Sequence, residues 1–399
     1  MSRQTRSTPA VSAATAQGLT LGVEEEFLLL DPTSMHPLPI GRQVLARTGG
    51  DAADGPRLTG ELWQTQVESI TGVCTDLRGL RAHLTAGRAR LAAAARAEGA
   101  HLVSVGQPLV RDTAPMIADS AHYAGMRALY HANLTEDEMC GTHVHVGVPD
   151  RETGVAVLNF LTPWLPTLLA LTTNSPYRRG FDTGFHSWRM VAYTALPAAG
   201  MPPWFASAAD YDADAARLAE CGVWKSGHGG LRVARLSAHL PTVEVRVADA
   251  CATIDDAVLY AGLVRALVRT ALTELRAGRT AQPLDPQVTE AALWSAARFG
   301  LHGPGIDPWQ ARQVPAVQLV DDLTRLVRDA LTELGDTEVI HPLLKRAVRD
   351  GTSASQQRAA ARTGGLPAVL NLLTTQTLAG VPAVPEQAST ALQGQPQVL

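Results

Sequence analysis

Glutamate, histidine and arginine recur at two-residue spacing in three distant, otherwise apolar stretches of this 399-residue chain. The first, Thr20 to Asp31, reads Thr-Leu-Gly-Val-Glu-Glu-Glu-Phe-Leu-Leu-Leu-Asp. A strand points successive side chains to opposite faces, so Glu24 and Glu26 share one face and Glu25 points away. Burying an unpaired carboxylate costs several kcal/mol or forces it to take up a proton, so this pair between Val23 and Phe27 calls for a metal ion or arginine partners. The second stretch, Cys140 to Gly147, reads Cys-Gly-Thr-His-Val-His-Val-Gly. It puts His143 and His145 on one face and Val144 and Val146 on the other. The third, Pro241 to Asp249, puts Glu244 and Arg246 opposite Val243, Val245 and Val247. Each alone reads as an amphipathic strand with a wet face. Together they predict one sheet face lined with Glu, His and Arg, the outline of a metal and phosphate site.

The elements that must carry these residues can be read from periodicity and punctuation. Glu61 to Val73 has a strand-like second half with Gln66 and Glu68 on one face and Glu61 at its start. Before it, Gly49 to Gly60 reads as a loop. Asp76 caps a helix to about Glu98 with Leu77, Leu80, Leu84 and Leu91 on one face. His101 to Val105 reads as a strand, Asp119 to Ala132 as a helix, and Pro149 to Thr173 as a helix split at its prolines. Asn174 to Arg189 is a loop whose Arg178, Arg179 and Arg189 are either solvated or placed to hold an anion. Ala208 to Glu220 is helical, and a turn at Gly227 to Gly230 leads into strands at Leu231 to Leu236 and Thr242 to Ala248. From Asp255 the texture is helical: to Ala277, then Gln287 to Phe299, Val317 to Leu334, Val339 to Val348 and Ser353 to Arg362. The expectation is an α+β fold, a mostly antiparallel sheet covered by helices with a helical C-terminal third.

Composition excludes several classes. A net charge of -4 and a pI near 6.3 give no reason to expect nucleic acid or an anionic membrane as partner. Cys74, Cys140, Cys221 and Cys251 lie far apart, which argues against a zinc knuckle or a disulfide framework and for a reduced, cytoplasmic protein. No run reaches the ~18 consecutive apolar residues of a membrane span; Val155 to Thr173 comes nearest and is interrupted by Asn159, Pro163 and Pro166. Residues 1–18 read as a disordered leader without a signal-peptide core and 380–399 as a disordered tail, leaving 19–379 as a single domain.

Gly-Val-Glu-Glu-Glu-Phe, Gln-x-Glu-x-x-Thr, Cys-Gly-x-His-Val-His-Val-Gly, Asn-Ser-Pro-x-x-x-Gly-x-x-Thr-Gly and Pro-Thr-Val-Glu-Val-Arg follow one another between about Leu19 and Arg362. This ordered set resembles the type 2 glutamate-cysteine ligase family, also called carboxylate-amine ligases. The resemblance implies the fold of the glutamine synthetase catalytic domain, a curved sheet whose concave face holds ATP, Mg2+ or Mn2+, and an amino acid. It also implies roles. Glu24 and Glu26, with Glu61 and Glu68, would complete the oxygen shell of one cation, and His143 and Glu244 would bind a second one bridging ATP phosphates. His145 would lie toward the nucleotide, and Arg235 and Arg246 would face the transferring phosphoryl group. The chain departs from the pattern before Arg235, where many relatives carry Trp-Asp and it has Arg232-Val233.

The reaction so implied is ATP-dependent amide formation through an acyl phosphate, with γ-glutamylcysteine synthesis or a related amino acid ligation as the activity. The partners would be a small carboxylate and a small amine, in a chain compatible with homo-oligomerisation. No Walker-type lysine loop is present, so sheet and metal would have to hold the nucleotide. Two other readings use the same residues: a metal-dependent amidohydrolase, in which the Glu and His cluster activates water, and a catalytically silent binding protein on the same scaffold. Arg235, Arg246 and the number of carboxylates favour a polyphosphate over water.

Overall fold

The computed structural model describes residues 19–50, 55–112, 115–118, 120–135, 137–223 and 230–382. The expected leader, all but the first residues of the expected tail, and the Gly227 turn lie outside the described residues. Strand β1 (Leu21–Leu30) is the axis of the sheet. One edge pairs with β3 (Gln66–Ile70), and the other with β5 (Gly141–Gly147) near its start and β4 (His101–Val103) near its end. β2 (Arg57–Gly60) lies beyond β3. Beyond β5 lie β7 (Thr242–Asp249) and then β6 (Ala234–Leu236). The order is β2-β3-β1-β5-β7-β6 with β4 beside β1, and every pairing is antiparallel. This is the expected fold class, an antiparallel sheet of glutamine synthetase-like type covered by helices, with a helical C-terminal third.

Alternation explains how the sheet is layered. Val144 and Val146 of β5 and Val243, Val245 and Val247 of β7 are fully buried, in one core with helices Arg151–Leu161, Leu165–Thr172 and Ile254–Arg276. The last of these starts at a capping box of Thr253 and Asp256 and is buried on nearly every side. Helix Leu77–Ala97 starts at Asp76, whose Oδ1 accepts from Gly79 N at 2.7 Å, and it buries Leu77, Leu80, Leu84 and Leu91. Both cover the face of β1 opposite Glu24 and Glu26.

The split at the prolines is as expected, whereas several other boundaries differ from the sequence expectation. Pro163 and Pro166 lack an N–H to donate, and the Arg151–Thr172 run is divided by a 3-10 turn at Thr162–Trp164. This run is long and apolar enough to cross a membrane, yet most of it is buried inside the protein. Within the expected loop Gly49 to Gly60, Arg57–Gly60 forms an edge strand; its exposed-to-half-buried pattern gives no apolar alternation to read. The first strand of the later pair is shorter than expected, Ala234–Leu236 rather than Leu231 to Leu236. The last helix does not end at Arg362; it breaks at Gly364 and Gly365 and continues to Thr377.

Candidate active site

The register of the sheet assembles the site. Glu26 of β1 lies opposite Glu68 of β3, and Glu24 opposite His143 of β5. His145 lies opposite Glu244 of β7, and Glu244 opposite Arg235 of β6. Opposed residues share a face, so five strands present these side chains to one side. The pairing of β5 with β7 shifts between Thr142 and Val144, which inserts one extra residue in β7. The parity of β7 therefore flips, and Asp249, opposite Gly141, joins Glu244 and Arg246 on the site face.

Two groups of possible ligands result. Glu26, Glu61 and Glu68 each offer an oxygen within 4.8 Å of the others, and Glu24, His145 and Glu244 do the same with two oxygens and a ring nitrogen. Glu61 comes from the turn after β2 and is half-buried. His143 was expected in the second group, but His145 takes that place. His143 instead bridges the two groups, with Nδ1 3.1 Å from Glu24 Oε2 and Nε2 3.6 Å from Glu26 Oε1. Glu244 accepts from Arg235 at 2.8 and 3.1 Å and from Arg246 Nη1. All nine residues singled out from the sequence thus lie in one connected set.

Charge is unevenly distributed across the site. Burial pushes the Glu26 carboxyl up to about 8, aided by Glu61 and opposed by Arg189, Arg246 and the Gly141 N–H, which donates to Glu26 Oε2 at 2.6 Å. Burial and then repulsion from Glu61, Glu24 and Glu26 raise Glu68 well above the carboxylate range. Burial would also raise Glu24, but hydrogen bonds to His143 and His145 outweigh it and hold the group low. Glu244 is likewise held low, its burial overcome by Arg246 and Arg235. Burial and the neighbouring Arg246 lower His143 to about 4, so its ring is neutral at pH 7. One triad is short of positive charge; the other has it supplied.

Two site residues escaped the sequence reading. Arg189 was noted only as one arginine of a loop, and Tyr193 had no signal at all. Ser187 caps helix Trp188–Thr194, which carries both, and its hydroxyl donates to Asp249 Oδ1 at 2.7 Å. Arg189 donates to the carbonyl of Arg246 at 3.2 Å and sits over the Tyr193 ring at 5.5 Å. Arg189 Nε, Tyr193 Oη and Arg246 Nε are all buried without a hydrogen-bond partner. Arg178, by contrast, is held by Asp137 at 2.6 Å, and Arg232 pairs with Asp214 and stacks on Phe205. Val233 is in the core.

A cavity flanks each triad. One of about 480 Å3 is bordered by Glu24, His145, Arg235 and Glu244, with apolar walls from Met126, Leu129 and Leu231. The other, about 510 Å3, is bordered by Glu61, Gln64, Gln66 and Arg42.

Residues 20–371 match the model of glutamate-cysteine ligase family 2. A Saccharopolyspora erythraea protein named as a candidate glutamate–cysteine ligase 2-2 is 45% identical over 91% of this chain and 93% of its own length. One from Salinispora tropica, named as a candidate glutamate–cysteine ligase 2, is 43% identical over 92% of this chain and 98% of its own. Among solved structures, the glutamate–cysteine ligase of Francisella tularensis in complex with AMP aligns with a TM-score of 0.61 at 15% identity, over 91% of this chain and 89% of that one. A bifunctional glutathione synthetase from Pasteurella multocida aligns at 0.63 and 15%, over 92% of this chain and 53% of that one. These two likenesses are of fold.

Proposed function

Since the chain belongs to glutamate-cysteine ligase family 2 and is thereby a carbon–nitrogen ligase, we propose that it couples ATP cleavage to amide formation between a carboxylate and an amine through an acyl phosphate. The observation that carries this reading is the pair of adjoining triads on one sheet face, with Arg235 and Arg246 gripping the carboxylate of one of them.

The donor sets fit two divalent cations. Glu26, Glu61 and Glu68 form an all-oxygen set, and Glu24, Glu244 and His145 a mixed set, both suited to Mg2+ or Mn2+. Burial first, and then crowding by neighbouring carboxylates, raises Glu26 and Glu68, and a bound cation would relieve both. Bound there, the ions would offset charge on the polyphosphate and on the phosphoryl group in transfer. His143 stays neutral between the two groups and offers a lone pair to either.

The remaining roles belong to the protein's own groups. The cavity beside Glu24, His145 and Glu244 takes the nucleotide, its apolar walls against the base and Arg235 toward the phosphates. Arg246 points its unpartnered Nε–H at the transferring phosphoryl group. Arg189 Nε and Tyr193 Oη, buried donors without acceptors beside Glu26 and Arg246, hold the free carboxylate of the acid substrate. The amine enters through the cavity beside Glu61. An oxygen of the acid attacks the γ-phosphorus and ADP leaves; the amine then attacks the acyl carbon, and phosphate departs with that same oxygen. Glutamate and cysteine, or a related amino acid pair, are the substrates this reading assigns.

The test follows that oxygen. With 18O in both carboxylate oxygens of the acid, the released phosphate carries one labelled atom. Label in AMP instead would overturn the acyl phosphate, and product formed without nucleotide would overturn the ligase chemistry assigned to this site.

A further inference from the structure

Behind the metal-facing side of β1 lies a buried ion pair that none of the chemistry above uses. Glu25 points away from the site, and its carboxylate meets Arg88 Nη2 at 2.6 Å and Nε at 3.3 Å. Both side chains are almost wholly buried, at 1% and 0% exposure. Arg88 comes from helix Leu77–Ala97 where that helix packs tightly on the sheet: a Cβ on the preceding Gly87 would fall 2.1 Å from Ser69 Oγ on β3. The other guanidinium hydrogens reach three carbonyls, Cys251 at 2.8 Å, Ala252 at 3.0 Å and Thr377 at 3.0 Å. A guanidinium has five N–H donors, and here all five are directed at acceptors.

These acceptors belong to separate parts of the fold. Cys251 and Ala252 follow β7, which carries Glu244 and Arg246. Thr377 ends the last helix, and its hydroxyl accepts from Ser104 N at 2.9 Å, just past β4. Ser104 Oγ in turn donates to the same Cys251 carbonyl at 2.7 Å. One side chain therefore ties β1 to the end of β7 and to the C-terminal helix. A buried ion pair is a poor source of stability, because well-packed apolar residues of similar volume often match or exceed it. Its better-attested use is to specify one geometry.

Resting on the two-triad reading above, we propose that Arg88 is a positioning residue for the ligase reaction: through Glu25 it fixes β1 so that Glu24 and Glu26 meet the ligands carried by β3 and β7. Glu25 is flanked by both metal-side glutamates, so a tilt or slip of β1 at this point moves both triads at once.

The test uses the full chain with Mn2+ as probe. In Arg88→Met/Glu25→Leu, which removes both buried charges and keeps the volume, the melting temperature in EDTA should stay within a few degrees of the parent. Mn2+ affinity, read by the loss of free-ion EPR signal, should fall tenfold or more, and kcat should fall more than KM for ATP rises. Arg88→Lys, which keeps the charge but has too few donors for all five acceptors, should fall between parent and double variant in Mn2+ affinity. A double variant that melts like the parent and binds Mn2+ equally well overturns the proposal. If the double variant does not fold, Arg88→Lys decides: unchanged Mn2+ affinity overturns the proposal, and a several-fold loss at an unchanged melting temperature supports it. Failure of the two-triad reading looks different, because then the parent itself binds no Mn2+.

Discussion

Arg246 stands where the opposing charges of the site meet. It is bonded to Glu244, lies 3.2 Å from His143 Nδ1, and keeps a buried Nε–H with no acceptor. A lysine there would keep the charge and lose the planar fork, so it could not both hold Glu244 and present a second donor to a phosphoryl oxygen. Loss of one such donor costs roughly a hundredfold in kcat when the contact tightens in the transition state. For Arg246→Lys we therefore expect kcat to fall by about two orders of magnitude, with KM for ATP changed far less. Steady-state ADP release at saturating acid and amine measures both, and an unchanged kcat would remove Arg246 from the transition state.

β5 shows how an element's backbone serves the site. Gly141 opens this strand, and a Cβ there would lie 2.4 Å from Arg189 Nη2 and 3.0 Å from His143 Nε2. Arg189 is held by the carbonyls of Arg246 and Val247, which limits its freedom to yield. Gly141→Ala should thus cost roughly 1–3 kcal/mol by overpacking and lower kcat at least tenfold by displacing Arg189. Gly79→Ala is the contrasting case. Its Cβ would meet nothing nearer than Asp76 Oδ1 at 3.5 Å, in the first turn of a helix. Stability there should rise by up to about 1 kcal/mol with kcat unchanged. Thermal melts and turnover of the two variants side by side check both outcomes.

At the scale of the whole molecule, stability without metal should depend on pH through the acidic triad. Glu26 has a folded pKa near 8 against 4.5 for the unconstrained group, and Glu68 shifts the same way. A raised folded pKa means that the folded chain holds the proton more tightly than the unfolded one. The associated stability is complete below about pH 4.5 and is lost as pH rises toward 8. A cation at the triad competes with those protons, so Mg2+ should stabilise most at the alkaline end of this window. At a hundredfold excess over Kd the gain is about 2.7 kcal/mol, enough to move the melting temperature by several degrees. Melts in EDTA and in Mg2+ from pH 5 to 8.5 should diverge with rising pH, and Glu26→Gln should narrow the gap. Curves that coincide across this range would contradict a metal site at Glu26, Glu61 and Glu68.

The sequence by itself determined which residues share a face, because a strand's two-residue period is a local property of the backbone. Glu24 with Glu26, His143 with His145, and Glu244 with Arg246 followed from it, as did Glu25 on the reverse side and the sheet-plus-helices class. The helix cap at Asp76 was equally local. Which ligand meets which was decided only by tertiary structure, since that depends on register between strands more than a hundred residues apart. Register put His145 opposite Glu244 and left His143, opposite Glu24, between the two groups, and one extra residue in β7 turned Asp249 toward the site. Arg189 and Tyr193 lie on a short helix whose sequence carries no metal or phosphate pattern. Their place in the site comes from Ser187 and Ser175 docking on Asp249. The partner of Glu25 was also out of reach of periodicity. Arg88 looks like any exposed-face arginine of an Ala- and Arg-rich helix until Gly87 lets that helix settle against β3.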